Sequence, residues 1–419
     1  MKLKLTKNWW FWPFVVGILL RLIVMPITFH PDFLAQTITS YFFSHKGIIN
    51  IYDYLISLPA GNSLAQNFSI QYIYIYPPLM YFSQGILNLL VRPFTDSSFI
   101  PWVIENVSNI YIKDTLSYHL FIYKLPYLII DLIAGVLLSN IFSELKKKKI
   151  AFLLWMLNPL AIYTTFIVGQ NDLLPVVFTI LSLLYFERRN TSIGMIMLGI
   201  AGSLKMYALL FILPAAFLMN KNLLGRLKLI VIGFLPYVLT VGPFAFSKGF
   251  RQLVLLNPES QKVLFMRLPL SGAEGVLVFM MFLVFIYIFS YYETEKISPN
   301  NYFGSIMLLL FSTTHFHPQW FLWATPFLVI FLTKNNYSYS MVVLLLIAAW
   351  AGITFLFEPS LNYALFASLK PEIANGVAVS SIVSKYYDAN LLKSVIRSIF
   401  AGASLYLMII FMRRKLTKY

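Results

Sequence analysis

Apolar runs long enough to span a bilayer alternate with short basic clusters along most of the chain. A hydrocarbon core of about 30 Å takes roughly 20 apolar residues per helical crossing, so these runs predict membrane helices. The first covers residues 9–27, follows Lys2, Lys4 and Lys7, and opens on Trp9, Trp10, Phe11 and Trp12. Basic residues stay on the cytoplasmic side and aromatic rings anchor at the interface. The chain is therefore expected to start inside, and this helix, which has no small-residue cleavage site, to exit as a signal anchor.

Residues 29–119 break the pattern, being aromatic, Asn-rich and punctuated by proline, with one apolar stretch at 76–90 that is short for a crossing. They read as one long extracytoplasmic loop carrying interfacial helices. Further crossings are expected at 120–142, 151–168, 173–186, 229–246, 276–292, 302–314, 318–332, 341–357 and 391–412. Within 193–219 two short helices meet near Lys205, which keeps Lys221, Arg226 and Lys228 inside. Arg413, Arg414, Lys415 and Lys418 close the chain on the cytoplasmic side. The expectation is an all-α polytopic membrane protein of about twelve transmembrane helices and one domain over 1–419. Its parts are the first loop at 29–119, core helices at 120–247 and C-terminal helices at 248–419.

Composition narrows the class. The chain is 59% hydrophobic and 11% charged, against roughly 25% charged residues in soluble domains, which excludes a soluble enzyme. A net charge of +16 would suit nucleic acid only if the basic residues shared one wet surface, and here they are spread between apolar runs. With no cysteine, disulfides, a thiol nucleophile and Cys-ligated zinc are excluded.

Ionisable groups at membrane depth are costly and each is a functional candidate. Arg21, Asp32, Lys124, Asp131, Asp172, Lys205, His315 and His317 mostly fall at one extracytoplasmic level. Asp131, seven residues after Lys124 on the same helix face, reads as a buried partner for Lys124 or Arg21. Asp172 reads equally as a helix cap and as a site residue. His315 and His317 read as donors to an anion, while the alternating Tyr72, Tyr74 and Tyr76 read as an aromatic belt.

Several of these residues stand in motifs with a shared order. Asp32, Tyr76-Pro77-Pro78-Leu79, Lys124 to Asp131, Leu157-Asn158-Pro159, Gly169-Gln170-Asn171-Asp172, Lys205-Met206-Tyr207 and His315-Phe316-His317 together resemble the GT-C glycosyltransferases. Leu157-Asn158-Pro159 through Lys205-Met206-Tyr207 and Gln319-Trp320-Phe321-Leu322-Trp323 are similar to the mannosyltransferase catalytic subunit of GPI assembly. Tyr76-Pro77-Pro78-Leu79 and the His-x-His pair are similar to the dolichyl-phosphate-glucose glucosyltransferases. The chain departs from the pattern where Pro31 and Phe33 flank Asp32 in place of paired acids, where Lys124 replaces a common Arg, and where Pro318-Gln319 replaces Glu-Lys.

The resemblance implies transfer of a hexose, mannose first, from a polyprenyl-phosphate donor to a glycan, lipid or protein acceptor on the extracytoplasmic face. A phosphate leaves without the acid that an ordinary glycoside needs, so one base suffices. Asp32, tied to the end of the first helix, is expected to be that base, and direct displacement inverts the anomeric centre. Lys205, His315 and His317 are expected to hold the donor phosphate. Arg21, Asp53, Tyr76, Gln170, Asp172 and Trp320 are expected to support the site, with Trp320, Trp323 and Tyr207 walling a groove for isoprenoid and sugar. No Asp-x-Asp stands in the first loop, so no metal or other cofactor is required, although a divalent ion is compatible with the reading. A bacterial plasma membrane is favoured over the endoplasmic reticulum, and membrane lipids, not nucleic acid, are the expected surroundings. The competing readings are a lipid-linked sugar flippase, which should show internal repeats and midplane carboxylates, and a polysaccharide polymerase or ligase, which should carry its large loop late in the chain.

Overall fold

The computed structural model describes residues 10–295 and 297–412. Trp9 and the basic residues Lys2, Lys4, Lys7, Arg413, Arg414, Lys415 and Lys418, on which the expected sidedness of the termini rests, lie outside the described residues. The described chain is mostly helical, with one two-stranded hairpin that the hydropathy pattern does not announce, Arg267–Pro269 against Gly275–Leu277.

Helix α1 (Phe11–Ile27) ends one residue after Pro26, and α2 (Pro31–Lys46) starts with Pro31 in its first turn. Proline fits the first turn of a helix and pushes the residue before it into extended backbone. The two helices consequently meet in an elbow of 80°. After short turns comes α3 (Pro78–Val91), again opened by proline, then α4 (Leu116–Ser139), the first unbroken helix of spanning length. Next are α5 (Leu145–Met156), a π-helical segment at Ile162–Ile167, α6 (Leu173–Glu187) and α7 (Thr191–Leu204). Helix α7 stops at Lys205, whose backbone is extended. A 3-10 turn, Met206–Phe211, resumes into α8 (Ile212–Met219), so the expected break at Lys205 is present.

The remaining helices are α9 (Leu223–Val241), α10 (Val278–Tyr292), α11 (Pro299–Thr313), α12 (Thr325–Lys334), α13 (Ser340–Phe355) and α14 (Ala389–Met412). Packing links α1 to α4, α4 to α5 and α6, α6 to α7, α7 to α9, and α11 and α13 to α14. Helices stand where the hydropathy runs place them. Among the described residues three helices are long and apolar enough to cross a membrane alone, α4, α14 and α9 with its following turn, and up to five if each bent pair counts as one crossing. Shorter apolar helices of 10–17 residues fill the other positions, below the roughly 20 residues of a single straight crossing.

Two hydrophobic cores form. The larger fills the bundle from Met25 to Phe411. The smaller belongs almost entirely to residues 29–123 and is completed by Phe244, Phe250, Leu253 and Val254 from the segment after α9. The stretch expected to be a loop of interfacial helices is thus a packed helical layer with its own core. Tyr76 packs against both cores.

Candidate active site

The elbow between α1 and α2 carries Asp32 in the first turn of α2, where the partial positive charge of the helix N-terminus favours a carboxylate. His30 caps the same turn, its Nδ1 accepting the Asp32 backbone N–H at 3.1 Å. Burial lowers the His30 pKa against the opposing pull of Asp32, which suits a ring nitrogen that must accept. The orphan carbonyls at the end of α1 are met by Lys124 from α4. Its fully buried ammonium donates to Thr28 O at 2.7 Å, Met25 O at 3.2 Å and, across the elbow, Phe166 O at 2.9 Å.

Gln170 reaches Asp32 from the turn between the π-helical segment and α6. Gly169 makes that approach possible, for its φ of +80° suits glycine and an added Cβ would lie 2.7 Å from the Phe33 ring. The Gln170 amide donates to Asp32 Oδ2 at 2.6 Å. The Asp32 side chain is nonetheless 47% exposed, so it is both held and open. It lines a cleft of about 200 Å³ together with Tyr76, Glu259, His317, Gln319 and Trp320.

Beyond Tyr76 and Trp320 lies a groove of about 410 Å³ with a largely apolar wall that includes Leu210, Phe279, Leu283 and Phe316. Lys205 sits at its polar end, made available by the break after α7. The ammonium donates to Asp172 Oδ1 and lies 4.7 Å from the centre of the Tyr76 ring and 5.3 Å from that of Trp323. Trp323 Nε1 donates to the same Asp172 oxygen at 2.7 Å, so Asp172 binds side chains and does not cap α6. Tyr207, Trp323 and Trp320 stack in succession, with centroids 4.2 and 5.4 Å apart, and His317 continues the row at 5.3 Å.

A second cation comes from the segment between α9 and α10. Lys262 pairs with Glu259 at 2.5 Å and lies 3.2 Å from His317 Nε2. Burial and Lys262 lower the His317 pKa, so its ring is a neutral hydrogen-bonding group and Lys262 is the charge beside it. Glu259 lines both cleft and groove. Neither residue stands out in the sequence, because charges in a long outer loop read as ordinary solvation. Gln36 and Gln319, which also line the cleft, are uncharged and carry no signal in a hydropathy reading.

Several expected site residues lie elsewhere. Arg21 is buried with Asp131, Nε to Oδ2 at 2.7 Å, and Trp155 Nε1 donates to the other Asp131 oxygen at 2.9 Å. This settles Asp131 as the partner of Arg21, not of Lys124, and takes Arg21 out of the cleft. Asp53 is used as a clamp: its Oδ1 accepts from Ser247 Oγ and from Gly249 N, both at 2.8 Å, and its Oδ2 from Asn50 at 2.8 Å. His315 stacks on Phe357, contacts Arg397 at 3.4 Å and lines neither cavity. Of the alternating tyrosines, Tyr72 and Tyr76 line the cleft while Tyr74 is buried in the smaller core.

Comparison with curated proteins returns no match. A family profile described as Glycosyltransferase family 87 matches residues 74–287, a stretch running from the tyrosine segment through the Lys205 break and the Lys262 loop into α10. That is just over half of the 419 residues, and it contains Tyr76, Lys205, Glu259 and Lys262 but neither Asp32 nor the 315–323 segment. The chain belongs to glycosyltransferase family 87, a membrane glycosyltransferase of the GT-C type.

Proposed function

We propose that this glycosyltransferase moves a hexose, mannose first, from a polyprenyl-phosphate donor to an acceptor on the extracytoplasmic face of a bacterial plasma membrane, with inversion at the anomeric carbon. The observation that carries the reading is the junction of two unlike cavities. A polar cleft holding the half-exposed Asp32 shares Tyr76, Glu259 and Trp320 with an apolar groove headed by Lys205 and Lys262. Such a groove suits an isoprenoid tail and the lysines its phosphate, while the cleft is about the size of one pyranose ring.

In this reading the acceptor hydroxyl lies in the cleft against the Asp32 oxygen that Gln170 does not occupy. As that oxygen takes the hydroxyl proton, the acceptor oxygen bonds to the anomeric carbon and the bond from that carbon to the phosphate oxygen breaks. The departing phosphate gains one negative charge, and fixed cations stabilise it. Lys262 lines the groove beside the neutral His317 of the cleft, and Lys205, neutralised at rest by Asp172, lines the same groove. The helices of 10–17 residues would cross the bilayer together with the short helical segments that adjoin them, or where the bilayer thins around them, bringing the count towards twelve and placing the cleft outside.

The test is incubation of purified, reconstituted protein with radiolabelled polyprenyl-phosphate mannose and glucose and an acceptor-containing membrane extract. Label should pass from the mannose donor to an acceptor, and Asp32→Asn should reduce transfer at least a hundredfold while the protein stays folded. Wild-type transfer by Asp32→Asn would remove the base, and transfer from neither lipid donor would remove the substrate assignment.

A further inference from the structure

Behind Asp32 lies a chain of buried amides that the reaction described above does not use. Gln170 Nε2 donates to Asp32 Oδ2 at 2.6 Å, Gln36 Nε2 to Gln170 Oε1 at 2.8 Å, Gln84 Nε2 to Gln36 Oε1 at 3.1 Å, and Tyr74 OH to Gln84 Oε1 at 3.0 Å. The three glutamines and Tyr74 are each at most 5% exposed, and they come from four separate parts of the chain.

The direction of the chain is set by its ends. A tyrosine hydroxyl can donate, an ionised carboxylate only accepts, and each intervening amide has one oxygen and one NH2 group. The head-to-tail arrangement lets every amide oxygen accept and every amide nitrogen donate, and successive bonds aligned in this way polarise one another. An amide cluster that merely filled the smaller core would have no need to end on the most exposed carboxylate of the cleft.

We propose that Gln84 and Gln36, acting through Gln170, are positioning residues for Asp32: they lock the Gln170 amide with its NH2 towards the carboxylate, so that one Asp32 oxygen is held and the other is presented to the acceptor. The proposal rests on the reading of Asp32 as the base. Gln84 is the informative member, because it lines neither the cleft nor the groove and can reach the reaction only along the chain.

In reconstituted protein, Gln84→Met keeps the length of the side chain and removes both of its hydrogen bonds. Turnover of the folded enzyme should fall about tenfold, the scale on which small losses of alignment act, with KM for donor and acceptor within twofold of wild type. Gln84→Glu still accepts from Tyr74 but, ionised, cannot donate to Gln36, and should fall at least as far. Should the glutamine variants fail to accumulate, Tyr74→Phe removes the hydroxyl that donates to Gln84 with little change in packing volume, and should lower turnover about threefold. Wild-type kcat in a folded Gln84→Met protein, or in Tyr74→Phe, overturns the proposal, as does a loss of thermal stability with kcat unchanged. Asp32→Asn run in parallel separates the two failures: an active Asp32→Asn removes the base itself, whereas an inactive Asp32→Asn beside a fully active Gln84→Met removes only the relay.

Discussion

The two histidines of the His-x-His motif differ in their neighbours and therefore in their chemistry. His317 faces the cleft beside Lys262, whereas His315 faces Arg397 and Phe357. Partial burial, then Arg397, Lys262 and His317, hold the His315 pKa down at about 4, against a weaker upward pull from Glu259. Between that value and the ordinary 6.5 the unfolded chain binds a proton that the folded chain does not. Acidification through this window therefore destabilises the fold, and below it the effect levels off. His315→Gln should flatten the dependence of Tm on pH between 6.5 and 4 without changing Tm at pH 8. An unaltered slope would mean that other groups set it. Asp32 and Lys205 were legible as residues because a charge beside an apolar run is conspicuous, and Gln170 through the Gly169-Gln170-Asn171-Asp172 motif, whereas Gln36 and Gln84 are neutral and read as ordinary polar positions until the fold aligns them.

The elbow of α1 and α2 is the element on which the site depends. Its prolines are visible in the sequence, but the 80° bend needs a donor for the carbonyls that the bend strands. Lys124 supplies it for two of them, from Met25 and Thr28, and ties them to the Phe166 carbonyl across the elbow. A buried carbonyl left without its donor costs about 1–3 kcal/mol. Lys124→Met should lower the Tm of the purified protein by about 5 °C or more and, by loosening the turn that bears Asp32, reduce kcat more than donor KM. A thermal scan and steady-state kinetics on the same preparation check both. Lys124 and Asp131 share a helix face as the spacing suggests, yet their partners are a row of carbonyls and Arg21. The periodicity of one helix says which residues lie together on it, not what the neighbouring helix offers them.

At the scale of the molecule the site is a seam between two cores, and the smaller core is fastened to the segment after α9 by Asp53. Three hydrogen bonds converge on its carboxylate, and Gly249 comes so close to Tyr52 that a Cβ would lie 2.3 Å from its backbone. The same segment continues to Glu259 and Lys262 at the mouth of cleft and groove. Asp53→Ala should therefore raise the donor KM about tenfold, through misplacement of Lys262, and expose residues 245–275 to limited proteolysis while leaving the bundle helices protected. A wild-type donor KM in that variant would separate the clamp from the cation.

Hydropathy, basic clusters and prolines by themselves determined the helical class, the position of nearly every apolar helix, the break at Lys205 and the candidacy of Asp32, because these follow from local composition and backbone chemistry. The number of crossings did not follow, since helices of 10–17 residues can be accommodated in more than one way. Only the tertiary structure decided that residues 29–123 build a core of their own, that Arg21 and Asp53 are fasteners, and that Glu259 and Lys262 stand beside His317. Those outcomes depend on which surfaces meet across hundreds of residues, where a charge takes its role from the partner that packing brings to it.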